Sequence, residues 1–264
     1  MDLELAERVV IVTGGSAGIG FAIAERFAAA GAHVVITARG VEALEAAAQK
    51  LTEAFGARVL AVPSDTTDQG RVDRMVAEVI GRHARIDILV NCAANPSGLV
   101  RSAIEDLDSD ALLEDLNTKV VGYARCARAV VPTMKQQRGG RIINIGGLTG
   151  RASNLLSGMR NVALCHLTKT LSDQLGPHGI TVNVVHPGVI RTPHLTDLFA
   201  TEARKRGTTP EAIEAEFVVQ TPTRRILEAG EIANTVAFLA SVHGASITGE
   251  SLAVDGGITR GIFL

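Results

Sequence analysis

The chain has no tryptophan and a single tyrosine, Tyr123, among 264 residues. So few aromatic side chains leave little material for base stacking, and nucleic acid is not an expected partner. Lysine plus arginine (26) nearly balance aspartate plus glutamate (28), for a net charge of -2. That balance provides no long-range attraction to a polyanion or an anionic membrane. No run of about 18 apolar residues occurs, so no transmembrane helix is expected. Residues 1–8 are acidic and lead straight into an apolar run, unlike a signal peptide. Only three cysteines occur, Cys92, Cys126 and Cys165. Their odd number and wide spacing suit free thiols in a cytoplasmic protein, and no cluster has metal-ligand spacing.

What the chain has in quantity is short apolar runs alternating with helical stretches. Strands are expected at residues 9–12, 33–37, 58–62, 86–90, 141–145, 181–185 and 251–254. Helical spacing fills 19–30, 41–55, 69–83, 109–137, 157–176 and 231–239, with a bend or split near Gly122 in the longest. Continuous apolar strands separated by helices imply a parallel sheet covered on both faces. The expected fold is a single Rossmann-like α/β domain over residues 1–264, a doubly wound parallel sheet of about seven strands with helices on both faces. Residues 194–223 are the least regular stretch. They follow the end of the sixth strand, where such sheets bind ligands, and are a candidate substrate lid.

The sequence Thr13-Gly14-Gly15-Ser16-Ala17-Gly18-Ile19-Gly20 follows the first strand and opens the first helix. A tight turn, a backbone approached by a pyrophosphate and close helix–strand packing all need glycine there. The helix N-terminus adds free N–H groups and a positive dipole end for phosphates.

Here the sequence resembles the short-chain dehydrogenase/reductase family, in its single-domain form. The glycine loop is similar to that family's cofactor loop. Asp65, followed by Thr66, resembles the aspartate beside the adenine. Asn91-Cys92-Ala93-Ala94 resembles the family's strand end, and the segment from Asn183 through Pro187, Gly188 and Ile190 to Thr192 its nicotinamide-binding loop. Ile247 to Gly257 resembles its C-terminal signature. The resemblance implies a small-molecule substrate and self-association as a homodimer or homotetramer, through long helices around residues 112–131 and 157–175. Its cofactor-binding set is Gly14, Ser16, Ala17, Gly18, Ile19, Gly20, Arg39, Asp65, Thr66, Asn91, Ala93, Pro187, Gly188, Ile190 and Thr192.

At the end of the second strand, Ala38 stands where an NAD-selecting enzyme carries an acid. Arg39 beside it suits a 2′-phosphate. NADP(H) is therefore expected, with NAD(H) as the alternative.

The catalytic pattern departs from the family's. Ser157 stands at the position of the tyrosine, Asn161 at that of the lysine and Gly147 at that of the serine. Asn117 fits the family's asparagine by residue type, but the spacing to Gly122, Pro132 and Met134 puts Lys119 there. Lysine and asparagine then look exchanged between two helices, as in a divergent branch of the family. Lys119, Ser157 and Asn161 are the candidate catalytic residues, with Ser153, Asn154 and His186 as weaker ones. The expected activity is oxidoreduction of a carbonyl or alcohol. The alternatives are a non-redox lyase or isomerase, or an inactive NADP(H)-binding sensor.

Overall fold

The structure, a computed structural model, describes residues 2–56, 59–95, 100, 103–151 and 155–261. The chain alternates strand and helix: β1 (Val9–Thr13), α1 (Gly18–Ala29), β2 (His33–Thr37), α2 (Val41–Phe55), β3 (Val59–Ala61), α3 (Gln69–His83) and β4 (Ile88–Asn91). Then follow α4 (Ser109–Leu116), a π-helical turn (Asn117–Val121), α5 (Gly122–Gln137), β5 (Gly140–Ile145), α6 (Gly158–Leu175) and β6 (Ile180–Pro187). The C-terminal part comprises β7 (Ile190–Arg191), α7 (Pro193–Arg206), α8 (Pro210–Gln220), β8 (Leu227–Glu228), α9 (Ala229–Ala240) and β9 (Ser251–Val254).

Seven strands form one sheet in the order β3-β2-β1-β4-β5-β6-β9, every pairing parallel. Alternation along each strand divides the core in two. Val10, Val12 and Val34 face Ile23, Phe27, Leu44 and Val236 of α1, α2 and α9. Val9, Ile11 and Val35 face Val72, Met75, Val130 and Met134 of α3 and α5. Both faces are therefore covered, which is why the strands read as unbroken apolar runs. The chain steps outward from β1 to β3 and returns to β4 beside β1. The C-terminal ends of β1 and β4 thus border the switch point where such sheets open a crevice.

Two sequence expectations are refined. Residues 194–223 are mostly helical, in α7 and α8. Thr192 and Thr209 cap α7 and α8, accepting from Leu195 N and Ala212 N, each with proline next in line. Threonine followed by proline at a helix start is a signal the sequence carried. The pair packs its own small cluster of Phe199, Ala203, Ile213 and Ile226. The long helix does split, and the break is the π turn just before Gly122. A Cβ on Gly122 would lie 2.9 Å from Thr66 Oγ1, so the glycine lets this helix pack against the loop after β3.

Candidate active site

One continuous cavity of about 670 Å³ lies above the C-terminal ends of β1, β2, β4, β5 and β6. Its first wall is the glycine loop. Gly14 and Gly18 adopt φ of +69° and +54°, in the left-handed region. A Cβ on Gly14 would lie 3.0 Å from Ala93 Cα, and one on Gly20 would run into the Gly14 carbonyl. Thr13 Oγ1 fixes this junction by accepting from Cys92 N at 2.9 Å and Ala93 N at 3.1 Å. Among the described residues no side chain caps the N-terminus of α1, so its first N–H groups are left for a ligand. Thr192 closes over the loop, 3.6 Å from where a Gly18 Cβ would stand.

At one end, Thr37, Ala38, Arg39, Ser64, Asp65 and Thr66 line the cavity. The hydroxyls of Thr37 and Ser64 are buried without a hydrogen-bond partner among the described residues. Such orphaned donors, beside the glycine cradle, fit a polar ligand such as the adenosine end of a dinucleotide. Arg39 is exposed and makes no ion pair or hydrogen bond among the described residues. Asp65 is opposed by burial, but the Thr67 N–H and hydroxyl, with Arg39, outweigh this and its pKa is lowered.

At the other end stand Lys119 and Arg160, with Cys92, Gly146, Gly147 and Leu148. The π turn carries Lys119 into the wall, 4% exposed, where Nζ donates to Gly146 O at 2.7 Å. Burial, followed by the nearby Arg160 guanidinium, lowers its pKa to about 7 against the opposing pull of Cys92 and Asp115. Burial pushes the Cys92 thiol up to about 12, so it stays protonated. Arg160, on the first turn of α6, is held from behind by an ion pair with buried Asp115. Sequence reasoning passed over Arg160. The available signal was a charged residue one step before the usual lysine position, on a helix expected to face the site.

Of the residues singled out from sequence, Gly14, Ser16, Ala17, Gly18, Ile19, Gly20, Arg39, Asp65, Thr66, Ala93, Lys119, Pro187, Gly188 and Thr192 line the cavity. Four do not. Asn91 lies beneath the floor, its amide donating to Asn144 Oδ1 at 3.0 Å, because its side chain points between sheet and helix. Ile190 is packed in the core and paired in register with Leu227. Ser157 and Asn161 stand behind the wall, 1% and 2% exposed. Ser157 Oγ accepts from Val100 N at 2.7 Å, and Asn161 Nδ2 donates to Thr149 Oγ1 at 2.7 Å. A Cβ on Gly147 would lie 3.0 Å from that Asn161 nitrogen, so the glycine makes room for the asparagine.

Three other residues weighed from sequence are taken up structurally. His186 Nδ1 sits at 3.1 Å from Gly147 N and Nε2 at 3.0 Å from Ser251 Oγ. Burial lowers its pKa to about 4, so the ring is neutral near pH 7. Tyr123 is buried and donates to Ile145 O at 3.2 Å. Asn117 accepts from Arg125 at 2.9 Å and is not in the cavity lining. Ser153 and Asn154 lie outside the described residues.

Similarity to known proteins agrees with this architecture. A family model described as enoyl-(acyl carrier protein) reductase matches residues 14–259. The chain is 35% identical over 256 residues to the short-chain reductase protein NovJ of Streptomyces niveus, covering 95% of this chain and 94% of NovJ. It is also 35% identical over 256 residues to the 3-oxoacyl-acyl-carrier-protein reductase FabG of Escherichia coli, covering 95% and 97%. The crystal structure of L-sorbose reductase from Gluconobacter frateurii, complexed with NADPH and L-sorbose, superposes with a TM-score of 0.94 at 31% identity, covering 99% and 100% of the two chains. With this parallel sheet, this glycine loop and this extent of similarity, the chain belongs to the short-chain dehydrogenase/reductase family.

Proposed function

We propose that this protein is an NADP(H)-dependent oxidoreductase of small carbonyl or alcohol compounds, with Lys119 as its proton-handling group. The observation that carries the reading is one cavity with exposed Arg39 at one end and buried Lys119 at the other. Arg39 meets the 2′-phosphate, and a bidentate guanidinium–phosphate contact favours NADP(H) over NAD(H). The α1 N-terminus would hold the pyrophosphate, Asp65 and Thr66 the adenine end, and Thr192 the nicotinamide end. NADP(H), when bound, supplies or removes a hydride. Lys119 holds the proton that balances it. With its pKa lowered to about 7, Nζ is poised to give a proton during reduction and to take one during oxidation. Ser157 and Asn161 support the wall that carries Gly147 and Leu148 (an atypical arrangement for this family, with lysine and asparagine exchanged).

This reading places the protein in the cytoplasm, in keeping with its three free cysteines. Self-association as a dimer or tetramer is part of the same proposal. It rests on Leu113, Val121, Met159 and Val162, exposed on and around α4, α5 and α6. Light scattering behind size-exclusion chromatography tests it, and a monomer at micromolar concentration overturns it.

One observation favours the alternative of a lyase, an isomerase or an NADP(H) sensor. The residue at the tyrosine position, Ser157, has its hydroxyl committed to Val100 N and does not line the cavity. Stopped-flow absorbance of NADPH with a panel of ketones, aldehydes and diketones separates the readings. NADPH consumption supports the oxidoreductase; tight NADPH binding with no consumption by any member of the panel overturns it.

A further inference from the structure

Two cations share one end of the cavity, and among the described residues no acid shares the wall with them. Lys119 and Arg160 line this end, while Asp65, the one acidic side chain in the described lining, lies with Arg39 at the other. Asp115 stands behind Arg160, 3% exposed and outside the lining, and ties down one of its terminal nitrogens. Arg160 itself is only 7% exposed, and its Nε–H has no partner among the described residues. Lys119 commits one donor to Gly146 O and, when protonated, has two more. A buried guanidinium with unused donors beside a buried amine is costly unless an anion meets them. The cofactor phosphates do not fill this need. The glycine loop, the α1 N-terminus and Arg39 would account for them elsewhere in the cavity.

We propose that Lys119 and Arg160 form a carboxylate-binding site, and that the substrate is a small oxo acid or hydroxy acid. The redox part of this statement rests on the function proposed above; the anion site does not. The Arg160 guanidinium keeps donors beyond the nitrogen tied to Asp115, and such planar donors suit a carboxylate. Asp115 is a positioning residue. Its carboxylate fixes the guanidinium before substrate arrives, so less rotamer freedom is lost on binding. With Lys119 protonated, two positive charges face one negative charge held behind the wall, and the substrate carboxylate completes the balance.

Calorimetric titration of the full chain, saturated with NADPH, tests the site with two anions and their neutral counterparts: oxamate against oxamide, and malonate against malonamide. At least one acid is expected to bind about 10-fold or more tightly than its amide, as charge-assisted hydrogen bonds are stronger than neutral ones. The preference is expected to shrink with added salt. In the double variant Asp115→Asn/Arg160→Met it is expected to fall below about twofold while NADPH still binds, since the pair is removed as a unit. Equal affinity of acid and amide in the wild type overturns the proposal, whether or not the double variant folds. So does a preference that survives in a folded double variant. Acid-selective binding with no NADPH oxidation by any oxo acid upholds the anion site and overturns only the redox reading. Oxidation of NADPH by neutral ketones without acid selectivity does the reverse.

Discussion

Lys119 Nζ donates to the carbonyl oxygen of Gly146 at 2.7 Å, inside a wall that leaves the lysine 4% exposed. The other half of that peptide group is the Gly147 N–H, which faces His186 Nδ1 at 3.1 Å. One peptide unit at the end of β5 therefore joins the candidate catalytic lysine to a buried neutral histidine on β6. The lysine is anchored by backbone, and the backbone by the core.

The lowered pKa of Lys119 sets a pH dependence of stability. Its amine titrates near 7 in the folded protein and at 10.5 as an unperturbed group. Between those values the unfolded chain binds the extra proton, so stability rises with pH over that window. Below about pH 7 both states are protonated and the cost of the buried charge is fully present. Urea midpoints at pH 7 and pH 9 are expected to increase more in the wild type than in Lys119→Met. Equal increments in the two proteins would rule out a titrating Lys119. The same variant is expected to lower NADPH turnover by about 100-fold or more, in line with loss of a general acid.

Cofactor choice is expected to rest on Arg39. Arg39→Ala removes the group assigned to the 2′-phosphate. Charge-assisted hydrogen bonds contribute about 1.5–3 kcal/mol, so NADPH affinity is expected to fall by about 10- to 150-fold. NADH affinity should change by less than about twofold, because no acid was present to favour it. Fluorescence titration with both cofactors reads the ratio; parallel losses would show that Arg39 does not discriminate.

The glycine loop is expected to tolerate no side chain at its tightest point. Gly20→Ala puts a methyl group against the Gly14 carbonyl. The loop must shift, and overpacking of this kind costs about 1–3 kcal/mol. NADPH binding is expected to weaken along with thermal stability. A Gly20→Ala variant with unchanged cofactor affinity would mean that the loop has slack which the geometry does not suggest.

Ser157 is expected to matter for stability more than for chemistry. Ser157→Ala leaves the Val100 N–H without its acceptor, and an orphaned buried donor costs about 1–3 kcal/mol. Turnover per folded molecule is expected to stay within about threefold, because the hydroxyl does not line the cavity. Loss of turnover with unchanged urea stability would restore Ser157 to the chemistry.

The sequence by itself determined the layered fold and the glycine loop that walls the cavity. Apolar runs of strand length, helical spacing between them and glycines at fixed offsets are local signals. Local signals survive because each reflects the backbone's own geometry. The Thr-Pro starts of α7 and α8 belong to the same class of local signal. The Lys119 end was legible only in part. Lys119 emerged from its spacing to Gly122, Pro132 and Met134, but which side chains reach the cavity depends on helix rotation and packing depth. The π turn at residues 117–121 and the packing of α6 against β6 and against that turn decided that. They brought Lys119 and Arg160 into one wall and turned Ser157 and Asn161 behind it. They also drew Asp115 behind Arg160 from 45 residues away. A linear spacing cannot report such a pairing, because its energy exists only once two distant helices have packed.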